Sequence, residues 1–164
     1  MEPKVLVTTA SNKGNKCVVE ILNRIFIKDS NAIAKEITQN VIIVETSLSP
    51  IETYGLIISA PPACAKKIFP INMILPLDTK LIICKVSECL TKLHISKFFV
   101  NCYVRSGNFD CKMLEIGIAL KLKGLLSVDY KTPDKVVNLN IIKDTVYVSI
   151  LNKDQEKVSV KSLG

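Results

Sequence analysis

Two segments near the end of the chain alternate apolar residues with other residues, and this period of two admits only β-strands that bury one face. The segments are KVVNLNII and TVYVSIL, and Lys143-Asp144 separates them. Their apolar positions are Val137, Leu139, Ile141, Val146, Val148 and Ile150. The short polar separation predicts an antiparallel hairpin, around which the second half of the chain has to fold.

The first half of the chain reads as strand, helix, strand, strand, helix, strand. KVLVTTA predicts a buried strand, and an amphipathic helix follows the polar SNKGN. AIAKEIT and VIIVETS predict an antiparallel pair around Gln39-Asn40, Ser49-Pro50 starts a second helix, and KKIFPINMIL is a last extended run. The apolar positions expected on the first helix are Val18, Val19, Leu22, Ile25 and Phe26. This βαββαβ order predicts a ferredoxin-like sandwich over residues 1–76.

The second half adds two helices before the hairpin. Asp78 is a helix N-cap, FFVNCYVR is an alternating strand, and after the turn SGN a helix runs from Asp110 to a Gly124 cap. We therefore predict an α+β protein with domains at 1–76 and 77–154, joined by the short link at residues 76–78. Residues 155–164 form a polar C-terminal tail, expected to fray.

Composition excludes several classes of protein. Of 164 residues, 48% are hydrophobic and 23% charged, which excludes disorder over most of the length. No run approaches the roughly 18–20 apolar residues that cross a bilayer, and the N-terminus turns polar too early for a secretory signal. We expect a cytoplasmic protein with no membrane association.

The charge balance points to a polyanion as partner. The chain has 22 Lys and Arg against 15 Asp and Glu, a net charge of +7. Most of this excess lies after residue 76, where 14 basic residues face 9 acidic ones. Nucleic acid fits this balance better than an acidic small molecule.

Catalytic and metal-binding patterns are missing from the sequence. The six cysteines form no CxxC pair, so we expect neither structural zinc nor a disulfide framework. His94 is the single histidine, and capping or dipole stabilisation at a helix end explains it better than catalysis. Turn or cap roles are likewise expected for Asp129 and Asp134. With no phosphate-loop, dinucleotide or protease motif, we expect no cofactor, no metal and no catalytic residue.

Particular residues within this order of elements resemble the THUMP domain. They are FFVNCYVRSGNFDCKMLEIGIALK, VDYKTP and DKVVNLNIIKDTVYVSIL, which correspond to a strand ending in Arg, a loop, a helix, a Val-Asp-x-x-x-Pro-like segment and a hairpin. The VLVTT strand, its polar loop and SPIETY make the first 76 residues similar to the ferredoxin-like domain that accompanies THUMP. The resemblance covers nearly the whole chain.

The resemblance extends to short archaeal and eukaryotic THUMP adaptor proteins that help an RNA cytidine acetyltransferase form 4-acetylcytidine in tRNA. In related THUMP enzymes these two domains bind tRNA, with THUMP near the acceptor end, and a separate domain performs the chemistry. The resemblance implies that this chain is a cytoplasmic, non-catalytic adaptor that binds tRNA. Its expected partners are tRNA and the RNA cytidine acetyltransferase. Two alternatives are an RNA-binding subunit of a split tRNA thiolation or methylation enzyme, and a protein-interaction module that binds no RNA.

We choose the expected RNA-binding residues by their charge, by their position in the predicted elements and by the resemblance to THUMP proteins. Arg105 ends a strand beside Asn108 of the SGN turn, and Lys112 lies in the first turn of the next helix. The full set is Lys13, Lys16, Lys66, Lys67, Arg105, Asn108 and Lys112. Relatives often carry arginines where this chain has Lys13 and Lys16, and lysine cannot form the bidentate fork of arginine.

Overall fold

A computed structural model describes residues 1–158 of the chain. The chain forms two compact units, the first made of Met1–Asn72 with residues 156–158, and the second of Met73–Gln155. The chain therefore passes between the units twice. None of the helices within the described residues is long and apolar enough to cross a membrane.

The first unit has the predicted βαββαβ order. Its elements are β1 Glu2–Thr9, α1 Gly14–Ile25, β2 Ile33–Thr38, β3 Val41–Thr46, α2 Pro50–Ile58 and β4 Ala65–Pro70. The four strands form one sheet in the order β2-β3-β1-β4, with every neighbouring pair antiparallel. The hairpin predicted around Gln39-Asn40 is confirmed, and Asn40 adopts the left-handed conformation that such a turn needs.

The buried face of α1 differs from the expected one. Cys17, Ile21 and Ile25 are fully buried, because a spacing of four residues places them on one helical face. Val19 and Phe26, which were expected in the core, are 59% and 44% exposed. The sequence contains two overlapping apolar stripes here, and packing on the sheet selects the one that contains the cysteine.

The second unit is an α+β arrangement on a mixed sheet. Its elements are β5 Met73–Pro76, α3 Thr79–Lys92, β6 Lys97–Ser106, α4 Cys111–Lys121, β7 Ser127–Val128, β8 Lys135–Ile142 and β9 Thr145–Leu151. The sheet order is β5-β9-β8-β6-β7, and β6 runs parallel to both of its neighbours. The hairpin β8–β9 is confirmed in register, since Leu139 pairs with Val148 and Ile141 with Val146.

Capping residues fix where three helices begin. The Ser49 side chain accepts a hydrogen bond from the Glu52 N–H, and the side chains of Asp78 and Asp110 accept from Leu81 and Lys112. Each bond satisfies one of the N–H groups that a helix start leaves without an intrahelical partner. The predicted starts of α2, α3 and α4 are therefore confirmed.

The border between the units differs from the one expected after residue 76. Met73–Pro76 pairs with β9 in the second sheet, so the run KKIFPINMIL divides between two sheets. The Leu77 N–H donates to the Asp144 carbonyl at 2.8 Å, which makes the expected link part of the second unit. The sequence of KKIFPINMIL contains no signal that its first and second halves pair with strands of different sheets.

Part of the expected C-terminal tail pairs with the first sheet. The Ile68 N–H donates to the Glu156 carbonyl at 2.7 Å, and the Val158 N–H donates to the Lys66 carbonyl at 3.2 Å. Strand β4 is an edge strand whose outer backbone groups need partners, and residues 156–158 supply them. The rest of the expected tail, residues 159–164, lies outside the described residues.

Two disulfides correct the expectation that the cysteines remain unpaired. They join Cys17 to Cys64 in the first unit and Cys102 to Cys111 in the second, with Cα atoms 5.8 Å apart in each pair. Sequence separations of 47 and 9 residues follow no spacing motif, so only the fold brings these thiols together. Within residues 1–158, no group of three or more His, Cys, Asp or Glu could hold a metal ion.

Asp29 ties the end of α1 to the end of β3. Its carboxylate accepts hydrogen bonds from the Thr46 hydroxyl at 2.5 Å and from the N–H groups of Ser47 and Asn31 at 3.0 Å each. These bonds, with that of Thr46 contributing most, lower the pKa of Asp29 from 3.8 to about 2. The resulting stabilisation is complete above the unfolded value of 3.8 and is lost as the pH falls toward 2.

We predict that Asp29→Asn makes the chain less stable at neutral pH and removes part of its acid sensitivity. Wild type and variant should differ by a constant unfolding free energy above about pH 5, and that difference should shrink as the pH falls toward 2. Urea unfolding followed by circular dichroism at several pH values measures both curves. A difference that does not change with pH would contradict the role assigned to this carboxylate.

Candidate nucleic-acid interface

Arg105 is held in a fixed position near the end of β6. Its Nε atom donates a hydrogen bond to Asn140 Oδ1 at 2.9 Å, and its guanidinium carbon lies 4.4 Å from the centroid of the Tyr103 ring. The side chain is half-buried. A guanidinium held on one edge by an amide and stacked on a ring is oriented before any ligand arrives.

The charge of Arg105 is not neutralised by an acidic neighbour. Among residues 1–158 no carboxylate forms an ion pair with it, and its Nη2 atom is buried without a hydrogen-bond partner. Burial lowers the pKa of Arg105, and the nearby Tyr103 opposes that shift, but arginine stays protonated near neutral pH. Because no carboxylate compensates it, the charge of this half-buried guanidinium is available to attract an anionic ligand.

Three neighbouring side chains of the same sheet also keep polar atoms without partners. Asn138 pairs in register with Ser149 of β9 and Asn140 with Tyr103 of β6, which places them on the sheet face of Arg105. The buried atoms without a hydrogen-bond partner here are Asn138 Oδ1, Asn140 Nδ2 and Ser149 Oγ. We call Arg105, Asn138, Asn140 and Ser149 the polar row.

Sequence reasoning found only the arginine of this row. The alternation in KVVNLNII does contain the signal, because both asparagines occupy positions that point away from the apolar core. Their link to Arg105 depends on the parallel pairing of β6 with β8, which joins residues 35 apart in sequence. Only the sheet register reveals it.

Lys112 and Asn108 follow Arg105 in the chain but lie in different surroundings. Both are exposed, and the Lys112 N–H is already bonded to the Asp110 carboxylate at 3.0 Å. The capping carboxylate therefore occupies a position near the helix start that a phosphate would otherwise favour. The side-chain ammonium of Lys112 remains exposed to solvent.

The structure adds Lys143, which the sequence did not identify. The Lys143 N–H donates to both the carbonyl and the hydroxyl of Ser106, which places the exposed Lys143 beside the loop that contains Asn108. Gly107 has a φ of +87° in this loop, a conformation that favours glycine. Arg105, Asn108, Lys112 and Lys143 thus belong to segments that meet at the end of β6, with Arg105 on the sheet face opposite α4, and we call this group the β6-end cluster.

The four lysines expected in the first unit gather at one end of its sheet. Lys13 and Lys16 are exposed at the start of α1, and Lys66 is exposed near the start of β4. The Cys17–Cys64 disulfide and the bond from the Ala10 N–H to the Cys64 carbonyl hold these two segments together. Lys67 is half-buried on the edge strand.

A carboxylate moderates the charge at the start of α1. A Cβ atom added to Gly14 would lie 2.2 Å from Glu36 Oε2, so that carboxylate lies directly over the first helical residue. It also accepts a hydrogen bond from the Asn40 N–H at 2.9 Å. The first unit therefore offers lysines whose attraction for phosphate is weakened locally, whereas no carboxylate within residues 1–158 forms an ion pair with the guanidinium of Arg105.

The two aspartates expected in turn or cap roles bond neighbouring backbone groups. The Asp129 carboxylate accepts hydrogen bonds from the Lys131 and Thr132 N–H groups, and Asp134 accepts from Ser96 and Lys97. These bonds lower the pKa of both carboxyl groups, which keeps them ionised and makes them poor general acids. His94 is exposed just after α3 with a φ of 54°.

The fold is shared with solved structures of low sequence identity. PH1313 from Pyrococcus horikoshii superposes with a TM-score of 0.68 at 18% identity, over 92% of this chain and 55% of that one. TrmN from Thermus thermophilus gives 0.64 at 14%, over 96% and 47% of the two chains. A 4-thiouridine synthetase solved with RNA and bound ATP gives 0.54 at 16%, over 92% and 42%.

These matches establish a common fold over nearly all of this chain. The chain spans only about half the length of each protein, from 42% to 55%. No protein-family model matches the sequence, and no curated protein matches it. The similarity therefore concerns the architecture of the two units.

The contrast between Arg105 and Lys112 gives a stability prediction. Arg105→Ala leaves the buried Asn140 Oδ1 without its donor, so we expect a loss of about 1–3 kcal/mol in unfolding free energy. Lys112→Ala removes an exposed side chain and should change stability by less than about 0.5 kcal/mol. Urea unfolding of the two variants tests this, and equal stabilities would show that Arg105 is not held as described.

Proposed function

We propose that the chain is a THUMP-domain protein with an N-terminal ferredoxin-like domain, and that it binds tRNA without catalysing a reaction on it. The observation that carries the proposal is Arg105, a half-buried guanidinium that is held by Asn140, stacked on Tyr103 and without an acidic partner among residues 1–158. The anionic groups of nucleic acids are phosphates, and arginine binds a phosphate through paired hydrogen bonds. One protein of the same fold was solved in complex with RNA.

The role proposed for the bound chain is delivery of tRNA to a modifying enzyme, an RNA cytidine acetyltransferase that forms 4-acetylcytidine. The sequence resemblance supports this choice of enzyme, and a cytoplasmic location goes with it. The chain would hold tRNA through phosphates at the β6-end cluster and at the lysines of the first unit. The catalytic groups would belong to the partner.

A second candidate is the RNA-binding subunit of a split methylation or thiolation enzyme. It is favoured by the fold that this chain shares with TrmN and with a 4-thiouridine synthetase. In that case the catalytic groups would belong to a partner subunit. Nucleoside analysis of tRNA from cells lacking the protein separates the candidates, because the missing nucleoside is acetylated, methylated or thiolated.

An apolar surface on α4 supports the protein-binding half of the proposal. Met113, Ile116 and Leu120 follow helical spacing, and each is more than half exposed. They adjoin a shallow groove of about 170 Å³ where the rings of Phe99 and Tyr130 lie 5.2 Å apart. The groove is lined by Phe98, Phe99, Val100, Glu115, Ile116, Ala119, Val128 and Tyr130. Exposed apolar groups of this kind mark protein interaction sites.

Charge-driven tRNA binding predicts a steep salt dependence. If the chain neutralises about four phosphates, log affinity should fall against log salt with a slope near −3. Lys112→Ala should weaken binding of all tRNAs alike and make the slope shallower by about 0.7–0.9, because phosphate contacts carry no base information. Filter binding across salt concentrations measures the slope.

The control for this experiment is Lys92→Ala. Lys92 is an exposed lysine at the end of α3, already paired with Glu88 at 3.3 Å, so its loss should leave the slope unchanged. An affinity that does not vary with salt would refute electrostatic recognition. Equal effects of the two variants would show that general charge, and not the β6-end cluster, attracts the RNA.

The adaptor role predicts that tRNA binding and tRNA modification can be separated. The purified protein should leave tRNA nucleosides unchanged when given an acetyl donor, and adding the acetyltransferase should yield 4-acetylcytidine. Ile116→Asp should lower that yield at least about tenfold and keep tRNA affinity within about twofold, because it places a charge on the apolar stripe. Val19→Asp, at an apolar position of similar exposure in the first unit, serves as control. Modification by the protein alone would refute the adaptor role.

A further inference from the structure

Each disulfide lies beside a group of the candidate RNA-binding residues. Cys102 belongs to β6 and Cys111 is the first residue of α4. Their bond closes residues 102–111 into a covalent ring, and Arg105 and Asn108 are members of this ring. Lys112 is the next residue after the ring. The state of this bond therefore bears directly on the geometry of the β6-end cluster.

The two disulfides differ in accessibility. Cys17 is fully buried and Cys64 is 7% exposed, whereas Cys102 and Cys111 are both half-buried at the edge of the second core. Thiol–disulfide exchange requires a thiolate to approach a sulfur atom, so the accessible bond reacts first. The chain thus combines a protected disulfide with an accessible one.

We propose that the Cys102–Cys111 disulfide is a redox switch that sets the affinity of the β6-end cluster for RNA, an inference that rests on the proposed function. The co-reactant is a low-molecular-weight thiol such as glutathione. One thiolate attacks a sulfur of the pair, which breaks the S–S bond and gives a mixed disulfide and a free cysteine thiol. A second thiolate displaces the other cysteine, so two electrons and two protons reach the protein and one oxidised glutathione is released.

The anchoring of the ring explains why its opening changes binding. One side of the ring is held to the sheet, because Arg105 bonds Asn140 and Ser106 accepts two hydrogen bonds from Lys143. On the other side, the disulfide adds a second covalent tie, besides the main chain, between β6 and the start of α4. Reduction leaves Arg105 in place and gives Asn108 and Lys112 more freedom, so RNA binding has to fix them again.

The cytoplasmic location proposed above is consistent with a disulfide that forms and breaks. Disulfides in a reducing cytosol are rare, and those that occur there are usually transient or sense redox state. An accessible bond beside a binding site fits that class better than a structural bond does. The oxidised form is the tighter binder, because its contacts are arranged beforehand.

The test compares tRNA affinity at one salt concentration in buffers of oxidised and reduced glutathione. Alkylation followed by mass spectrometry reports the state of each cysteine pair. We expect Cys102–Cys111 to be reduced under milder conditions than Cys17–Cys64, and affinity to fall about three- to tenfold with it. Cys111→Ser should bind like the reduced protein in both buffers, and Cys102→Ser gives the same test if the first variant folds poorly.

The matched control is Cys84→Ser, which removes an exposed cysteine outside both pairs and should keep the full redox response. Equal affinity of the oxidised and reduced forms, with reduction verified by alkylation, would overturn the switch and leave tRNA binding intact. Reduction of both pairs under the same conditions would also overturn it. If neither form binds tRNA, the proposed function fails, and the switch fails with it.

Discussion

Strand β8 is buried from Val136 to Ile142, and the alternation along it defines both the core and the candidate site of the second unit. Val137, Leu139 and Ile141 face the apolar core formed with α3 and α4. The asparagines between them occupy the opposite face, because successive side chains of a strand point to opposite sides of the sheet. There Asn140 holds Arg105, and the only arginine of this unit becomes a fixed group.

The two units present positive charge in different ways. The first unit carries exposed lysines around the start of α1, where the Glu36 carboxylate over Gly14 weakens their field. The second unit combines a held guanidinium with exposed lysines at the same end of its sheet. A charged group in a fixed position can orient a bound RNA, whereas an exposed, mobile charge attracts RNA from a distance. We therefore assign the orientation of RNA to Arg105 and its attraction to the lysines.

Much of the fold could be predicted from the sequence, because its signals are local. The hairpin register follows from alternation, and the helix starts follow from Ser49, Asp78 and Asp110. The candidate site was only partly predictable. Arg105 was found from its place at a strand end, but Asn140, Lys143 and both disulfide pairings join segments whose proximity depends on strand order.

The sequence by itself determined the element order, the helix caps and the faces of the alternating strands, since these depend on residues within a few positions of one another. The tertiary structure decided which stripe of α1 is buried, that Met73–Pro76 pairs with β9, and which cysteines meet. It also decided that Arg105 has an amide partner and, in the part of the chain that the structure describes, no acidic one. Each of these outcomes depends on long-range pairing, in which several partners satisfy the same local pattern and packing of the whole unit selects one.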